Sequence, residues 1–144
     1  MTNSPVIADT GFWVALINRG DTHHARAVEV LEGLTRRLVT TWPVLTETCH
    51  ILLRRGGTVT QRRFLESWLQ GSFDIHDIGA ADAARIHSLM LQYESLPMDL
   101  ADASLVVLAE ALGCGDILST DRRDFQAVRW KQRAPFRNLL LPDG

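Results

Sequence analysis

The sequence predicts an α/β domain with a central, mostly parallel sheet of about four to five strands and helices on both faces. Three observations predict it. Short apolar runs alternate with stretches of helical apolar spacing, the pattern of a parallel sheet with crossover helices. The runs end in small, polar or acidic residues, as buried parallel strands do at their carboxyl ends. The length of 144 residues, 46% of them hydrophobic, suffices for one sizeable core and leaves no room for a second domain of ordinary size. The chain is therefore read as a single domain over 1–144.

The elements follow in order. Val6-Ile7-Ala8 is a buried strand that ends at Asp9, with a turn at Thr10-Gly11. Phe12 to Asn18 has helical spacing, and Gly20-Asp21 breaks it. Thr22 is the expected N-cap of a second helix that carries Ala25, Val28, Leu31 and Leu34 on one face, with Gly33 weakening its end. Arg37 to Thr41 reads as the second strand. Pro43 suits the first turn of the helix after it, through Val44, Leu45, Glu47, Ile51 and Leu52 to Gly56-Gly57. Thr60 starts another helix, with Phe64, Leu65, Trp68 and Leu69 facing inward.

Phe73 to Ile78 alternates as an edge strand does, and Ala80 to Tyr93 is helical. Pro97 interrupts. Asp99 to Leu112 is the most apolar helix of the chain, closed by Gly113 and Gly115. Ile117 to Thr120 is the last clear strand and leads into Asp121. Beyond Val128 the pattern weakens, and Leu139-Leu140-Leu141 is read as a short strand or a docking segment.

Composition excludes several classes. No apolar run approaches the roughly 20 residues of a membrane span, and no signal peptide is visible at the N-terminus. Cys49 and Cys114 form no C-x-x-C pattern and suit a reducing cytosol, so a cytoplasmic location is expected. The net charge of -2 argues against general polyanion binding. The basic residues are 14 arginines and the single Lys131, a bias that GC-rich coding explains before phosphate recognition does.

The acidic residues carry the functional argument. Ligands of open parallel sheets bind at the carboxyl ends of the strands. Asp9 and Asp121 follow strand ends, and Glu47 lies in the first turns of the helix that starts from the same edge. Asp99 and Asp102 are three residues apart and share a helix face. Convergent carboxylates with no nearby cation repel one another unless protons or a metal neutralise them, and a hard divalent cation takes carboxylate oxygens while leaving room for water and phosphate. The pattern points to a metal-dependent phosphodiesterase. Singly, each residue has a plain structural reading. Asp9 and Asp99 suit N-caps, Glu47 a helix surface and Asp121 a turn. Asp124 either extends the cluster or caps a turn, while Thr10, Ser119 and Thr120 place hydroxyls beside the carboxylates.

Two other chemistries also touch this pattern. Asp9-Thr10-Gly11 is the triplet of aspartic proteases, but that chemistry needs two such aspartates in a β-rich frame. An α/β phosphatase needs a second aspartate two residues after the first, where Gly11 stands.

The chain resembles the PIN domain family, and within it the VapC-type toxin ribonucleases of toxin–antitoxin modules. The residues that carry the resemblance are Val6-Ile7-Ala8-Asp9-Thr10, then Thr46-Glu47, then Met98-Asp99-Leu100-Ala101-Asp102-Ala103-Ser104, and finally Leu118 to Phe125 with Ser119-Thr120-Asp121-Arg122-Arg123-Asp124 between. Order, spacing and length agree over nearly the whole chain. The resemblance implies a PIN-like fold and a metal-dependent endoribonuclease. Asp9, Glu47, Asp102 and Asp121 would hold one or two Mg2+ or Mn2+ ions, and Asp99 matches an extra acidic position. It further implies an RNA substrate, inhibition by a cognate antitoxin protein and a homodimer. The alternative is a non-catalytic or non-toxin PIN module that binds or processes RNA. Thr10, Thr120, Arg122 and Arg123, with Arg19 behind them, are candidates for substrate contact. Trp13, Trp42 and Trp68 are read as core and Trp130 as the candidate for stacking on a base. His50, three residues after Glu47, is read as structural, as is the His23-His24 pair.

Overall fold

The computed structural model describes residues 3–142. Its centre is a five-stranded sheet in the order β3-β2-β1-β4-β7. Strand β1 (Val6–Ala8) is fully buried and pairs in parallel with β2 (Leu38–Thr41) on one side and β4 (Asp116–Leu118) on the other. Its run of small and β-branched residues without alternation is what burial on both faces demands. Strand β3 (Asp74–His76) pairs in parallel with β2 at one edge, where its half-exposed residues keep the polar alternation of an edge strand. The other edge, β7 (Arg137–Asn138), pairs in parallel with β4. The chain leaves β1 for β2 and β3 in one direction and returns to lay β4 on the opposite side. The switch in direction opens a crevice beyond the carboxyl ends of β1 and β4, the place where such sheets bind ligands.

Helix α1 (Thr10–Ile17) follows β1 and packs on α2 (His24–Gly33) and on α3 (Trp42–Leu69). Gly57, at φ 82°, breaks α3 into two arms, as the Gly56-Gly57 pair predicts. The arms and β3 enclose an aromatic cluster in which Trp13 lies 4.6 Å from Phe73 and 5.3 Å from Phe64. After a 3-10 turn (Ala80–Asp82) and α4 (Ala83–Gln92), α5 (Leu100–Leu112) crosses β1 and β2. Residues 103–109 of α5 are all buried, since this helix is apolar on every side. Gly113 ends it in the left-handed conformation. Ser104 Oγ donates to Ala101 O at 2.7 Å and shares a hydrogen bond with Thr41 Oγ1 at 2.6 Å, which joins the start of α5 to the end of β2. Among the described residues no helix is long and apolar enough to cross a membrane.

The structure corrects several local expectations. Helix α2 starts at His24, Thr22 is not its cap, and the face turned to the core carries Ala27 and Val30 rather than Ala25 and Leu31. His24 Nδ1 meets Ala15 O at 2.8 Å, which sets that phase. Leu69, expected inside, is 78% exposed because it ends α3 beyond the last packed turn at Trp68. Strand β4, expected to run to Thr120, stops at Leu118, so Asp121 stands three residues past it. After α6 (Arg122–Ala127), the tail forms a small hairpin of β5 (Arg129–Trp130) and β6 (Ala134–Pro135) before β7. The Leu139–Leu141 run is a docking segment: Leu139 N–H donates to Ile117 O, and Leu140 is buried.

Candidate active site

Asp9 leaves β1 with its N–H donating to Leu118 O at 3.1 Å, so its position is part of the β1–β4 ladder. It caps α1. One carboxylate oxygen accepts the Thr10 N–H and the other accepts the Ser119 hydroxyl, both at 2.8 Å. Ser119 Oγ in turn accepts the Asp121 N–H at 2.9 Å. A single hydroxyl therefore ties the two strand-end aspartates together. Ser119 is itself held by Asn138, whose side chain donates to Ser119 O at 2.9 Å and accepts Ser119 N–H at 3.3 Å. Asn138 also accepts the N–H groups of Leu140 and Leu141. Nothing in the sequence singles it out, because it lies in a two-residue strand with no apolar pattern.

Asp99 caps α5 and accepts the Asp102 N–H at 2.8 Å, while Asp121 caps α6 and accepts the Asp124 N–H at 3.1 Å. The plain capping readings of Asp9 and Asp99 thus hold, and Asp121 is a cap as well as a turn residue. Capping does not remove these residues from a site. It aims the amino ends of three helices, with their partial positive charge, at the same edge.

The electrostatics show which carboxylates face one another. Asp9 is only 7% exposed, and burial pushes its carboxyl up to about 6. The hydrogen bonds from Ser119 and Thr10 oppose that shift, while the charges of Asp121 and Glu47 add to it. Asp102 is pushed up to about 8 by burial, then by the charges of Asp99, Asp9, Asp121 and Asp124. Asp124 is also raised, by burial and by Asp121, with Arg123 working the other way. Asp99, Asp9, Asp121 and Asp124 therefore all act on Asp102, and Asp121 and Glu47 act on Asp9. Among the described residues no lysine, arginine or histidine forms an ion pair with Asp9 or Asp102.

This donor set suits a hard divalent cation, which prefers oxygen ligands and lowers the cost of gathering carboxylates. The hydroxyl of Thr10 agrees with it, being buried beside Asp9 with no hydrogen-bond partner among the described residues. No three His, Cys, Asp or Glu side chains among the described residues are already gathered into a ligating group. The caps explain this, because Asp9, Asp99 and Asp121 each turn a carboxylate oxygen to a backbone N–H of the helix they start.

The candidate contact residues divide. Thr120 lies against Gly11 so closely that a Cβ on that glycine would fall 1.9 Å from the threonine hydroxyl, which explains the glycine after Asp9-Thr10. Arg123 acts on Asp124, whereas Arg122 turns to the tail and reaches Pro142 O at 3.5 Å. Arg19 stands beyond the far end of α1, about 12 Å of helix away from Asp9. Trp130 is not a stacking platform. Its ring fills the space over Gly115 at the amino end of β4, and its indole N–H donates to Pro135 O at 3.0 Å. Trp42, read as core, is 44% exposed and lies at the carboxyl edge. Its position between the end of β2 and Pro43 is the signal that could have shown this.

Comparison with known proteins agrees with this geometry. Residues 6–131 match the PIN domain family. Ribonuclease VapC26 of Mycobacterium tuberculosis (strain ATCC 25618 / H37Rv) is 27% identical over 124 residues, covering 86% of this chain and 92% of that one. The crystal structure of Mycobacterium tuberculosis VapC20, a sarcin-ricin loop cleaving toxin, superposes with a TM-score of 0.76 at 21% identity, covering 82% of this chain and 91% of that one.

Proposed function

The chain belongs to the PIN domain family, and from that membership we propose that it is a divalent-metal-dependent endoribonuclease, the toxin of a toxin–antitoxin module. One observation carries the reading. Asp9 and Asp102 are both held well above the ordinary carboxylate range, by burial and by the carboxylates around them, and neither has an ion pair to a cationic side chain among the described residues. A protein keeps such a cluster at a strand-end crevice at a cost in stability, and perturbed carboxylates in that position mark functional sites.

Asp9, Glu47, Asp102 and Asp121 would hold the ion, with Asp99 at the rim, and Mg2+ or Mn2+ fits an all-oxygen set. A divalent ion bound there supplies charge neutralisation at a scissile phosphate and water of lowered pKa. The chain supplies the rest. Ser119 and the Thr10 N–H fix both oxygens of Asp9, so its orientation does not change when charge arrives. Asn138 fixes Ser119. Arg123, beside Asp124, is the near arginine able to meet a flanking phosphate. Single-stranded loops of RNA suit a crevice of this kind, since their bases are free to splay. In this reading a cognate antitoxin protein inhibits the enzyme, which works in the cytoplasm as a homodimer and uses the whole chain as one nuclease domain.

The test is cleavage of total cellular RNA by purified protein with Mg2+ or Mn2+, beside EDTA and an Asp9→Asn variant. Discrete fragments that vanish in both controls establish the activity. Intact RNA under every condition, with folded protein, shifts the reading to an RNA-binding PIN module without turnover.

A further inference from the structure

Beside the acidic crevice lies an open groove of about 670 Å3 that the carboxylates alone do not explain. Glu47 and Asp99 form part of its wall, and Trp42, Ile78 and Leu100 form the apolar part. Trp42 is the first residue of α3 and Leu100 the first of α5. Both helices start at the carboxyl edge of the sheet, so two large apolar side chains, 44% and 50% exposed, stand next to the acidic residues. Exposed aromatic surface at the mouth of a polar site is rarely left without use.

Trp42 is also held in place. Pro43 stiffens the first turn of α3. Trp68 packs edge-on against Trp42, with ring centres 5.4 Å apart and planes at 84°. No other aromatic ring lies against Trp42 among the described residues, and no ring is stacked parallel to it. Along α3, Thr46 and His50 follow Trp42 at four-residue spacing and line the groove. The Thr46 hydroxyl donates to Trp42 O at 2.9 Å and is left to accept, and the His50 ring is able to hydrogen-bond a base edge.

We propose that Trp42, backed by Leu100, is a stacking subsite for one unpaired nucleobase next to the scissile phosphate. This rests on the ribonuclease reading and adds to it the residue that selects the substrate's conformation. The groove's chemistry favours a base over other occupants. Its polar wall is acidic, so a phosphate would be repelled without metal, whereas the face of a neutral base is not. A base on Trp42 places its own phosphate toward the carboxylates, and stacking on a fixed ring binds any base that has been unstacked from its helix.

The experiment uses a short end-labelled RNA that contains a mapped cleavage site. It compares the wild-type chain, Trp42→Phe and Trp42→Leu, with thermal melts and size-exclusion elution as controls. Because stacking on an aromatic ring is worth about tenfold or more in affinity, Trp42→Leu should raise KM about tenfold with kcat within about threefold, and Trp42→Phe should stay near wild type. Removing the base at one nucleotide beside the cleaved bond should impair the wild type by a similar factor and barely affect Trp42→Leu. Equal kinetics for Trp42→Leu and wild type overturn the subsite, as does an abasic penalty of the same size in both proteins. Loss of activity together with elution as a smaller species also overturns it, and assigns Trp42 to a contact between copies of the chain. If the wild type cleaves no RNA, the ribonuclease reading fails and the subsite fails with it. If the wild type cleaves and Trp42→Leu matches it, only the subsite fails.

Discussion

The two ends of the sheet treat the same side chain in opposite ways. At the amino end, Asp116 begins β4 between two arginines, Arg36 at 2.8 Å and Arg137 at 3.0 Å, and the pair holds its carboxyl below the ordinary range despite partial burial. Glu110 has Arg85 at 2.7 Å and is lowered in the same way. At the carboxyl end, Asp9 and Asp102 are raised to about 6 and about 8, and what surrounds them is more carboxylate. The chain has arginines to spare, so the lack of a cation there is placement and not scarcity. Carboxylates that serve the fold are neutralised from within the chain. Under the proposed function, those at the crevice would be neutralised by a divalent ion from outside.

The largest expected effect comes from removing a crevice carboxylate. Asp9→Asn or Asp102→Asn should lower RNA cleavage by a factor on the order of 100 or more, because each loses a ligand and the charge that the ion balances. Neither should lower the melting temperature of the metal-free protein at pH 8, since each relieves repulsion. A variant that melts lower and cleaves normally would erase the distinction between the two ends.

The reverse holds at the other end. Asp116→Asn leaves the half-buried Arg36 without its partner and should cost about 2–4 kcal/mol in chemical denaturation. Cleavage by the protein that remains folded should be unchanged.

Acid titration separates the ends without mutation. Asp9 and Asp102 bind protons more tightly in the folded chain than in the unfolded one. Their contribution to stability is therefore complete below the unfolded value of 3.8 and is withdrawn as pH rises through about 6 for Asp9 and about 8 for Asp102. For Asp9 alone the loss at neutral pH is on the order of 3 kcal/mol. Asp116 has the opposite sign, contributing above 3.8 and losing its contribution as pH falls. Thermal melts of metal-free protein should thus fall from pH 5.5 to pH 8.5, and Mn2+ should restore the midpoint at pH 8.5 while doing little at pH 5.5. A metal effect that is the same at both values would mean that the ion binds elsewhere.

The fold class was legible in the sequence, because short apolar runs alternate with stretches of helical spacing, but several local elements were not. Asp9, Glu47, Asp102 and Asp121 could be put forward as candidates because each stands beside an apolar strand or the start of an apolar helix, and parallel topology sends all those positions to one edge. The tail hid its structure, since β5, β6 and β7 are two-residue strands, too short for any period to register. The phase of α2 was not legible because a polar residue, His24, joins Ala27 on its packed side, with Nδ1 meeting Ala15 O of α1. The two misjudged tryptophans share a cause. Apolar neighbours in sequence surround Trp42 and charged ones flank Trp130, yet α3 begins at an open edge while Gly115 opens a pocket for the Trp130 ring. Burial of a single aromatic is decided by what crosses it in space.

The smallest effect tests whether pairing alone distinguishes the amino end, or pairing with burial. Arg37 and Asp74 form a two-pronged pair across the β2–β3 edge at 2.8 and 3.2 Å, with geometry as good as that of Asp116. Both side chains, though, are more than half exposed. Water and salt screen such a pair, so it contributes little. Arg37→Ala should therefore leave the denaturation midpoint nearly unchanged, and any small change should shrink further in about 1 M salt. A loss as large as that of Asp116→Asn would mean that ion pairs stabilise the amino end wherever they lie. A negligible loss would leave burial as the shared cause: it makes Asp116 need its arginines, and at the crevice it raises the carboxyl of Asp9.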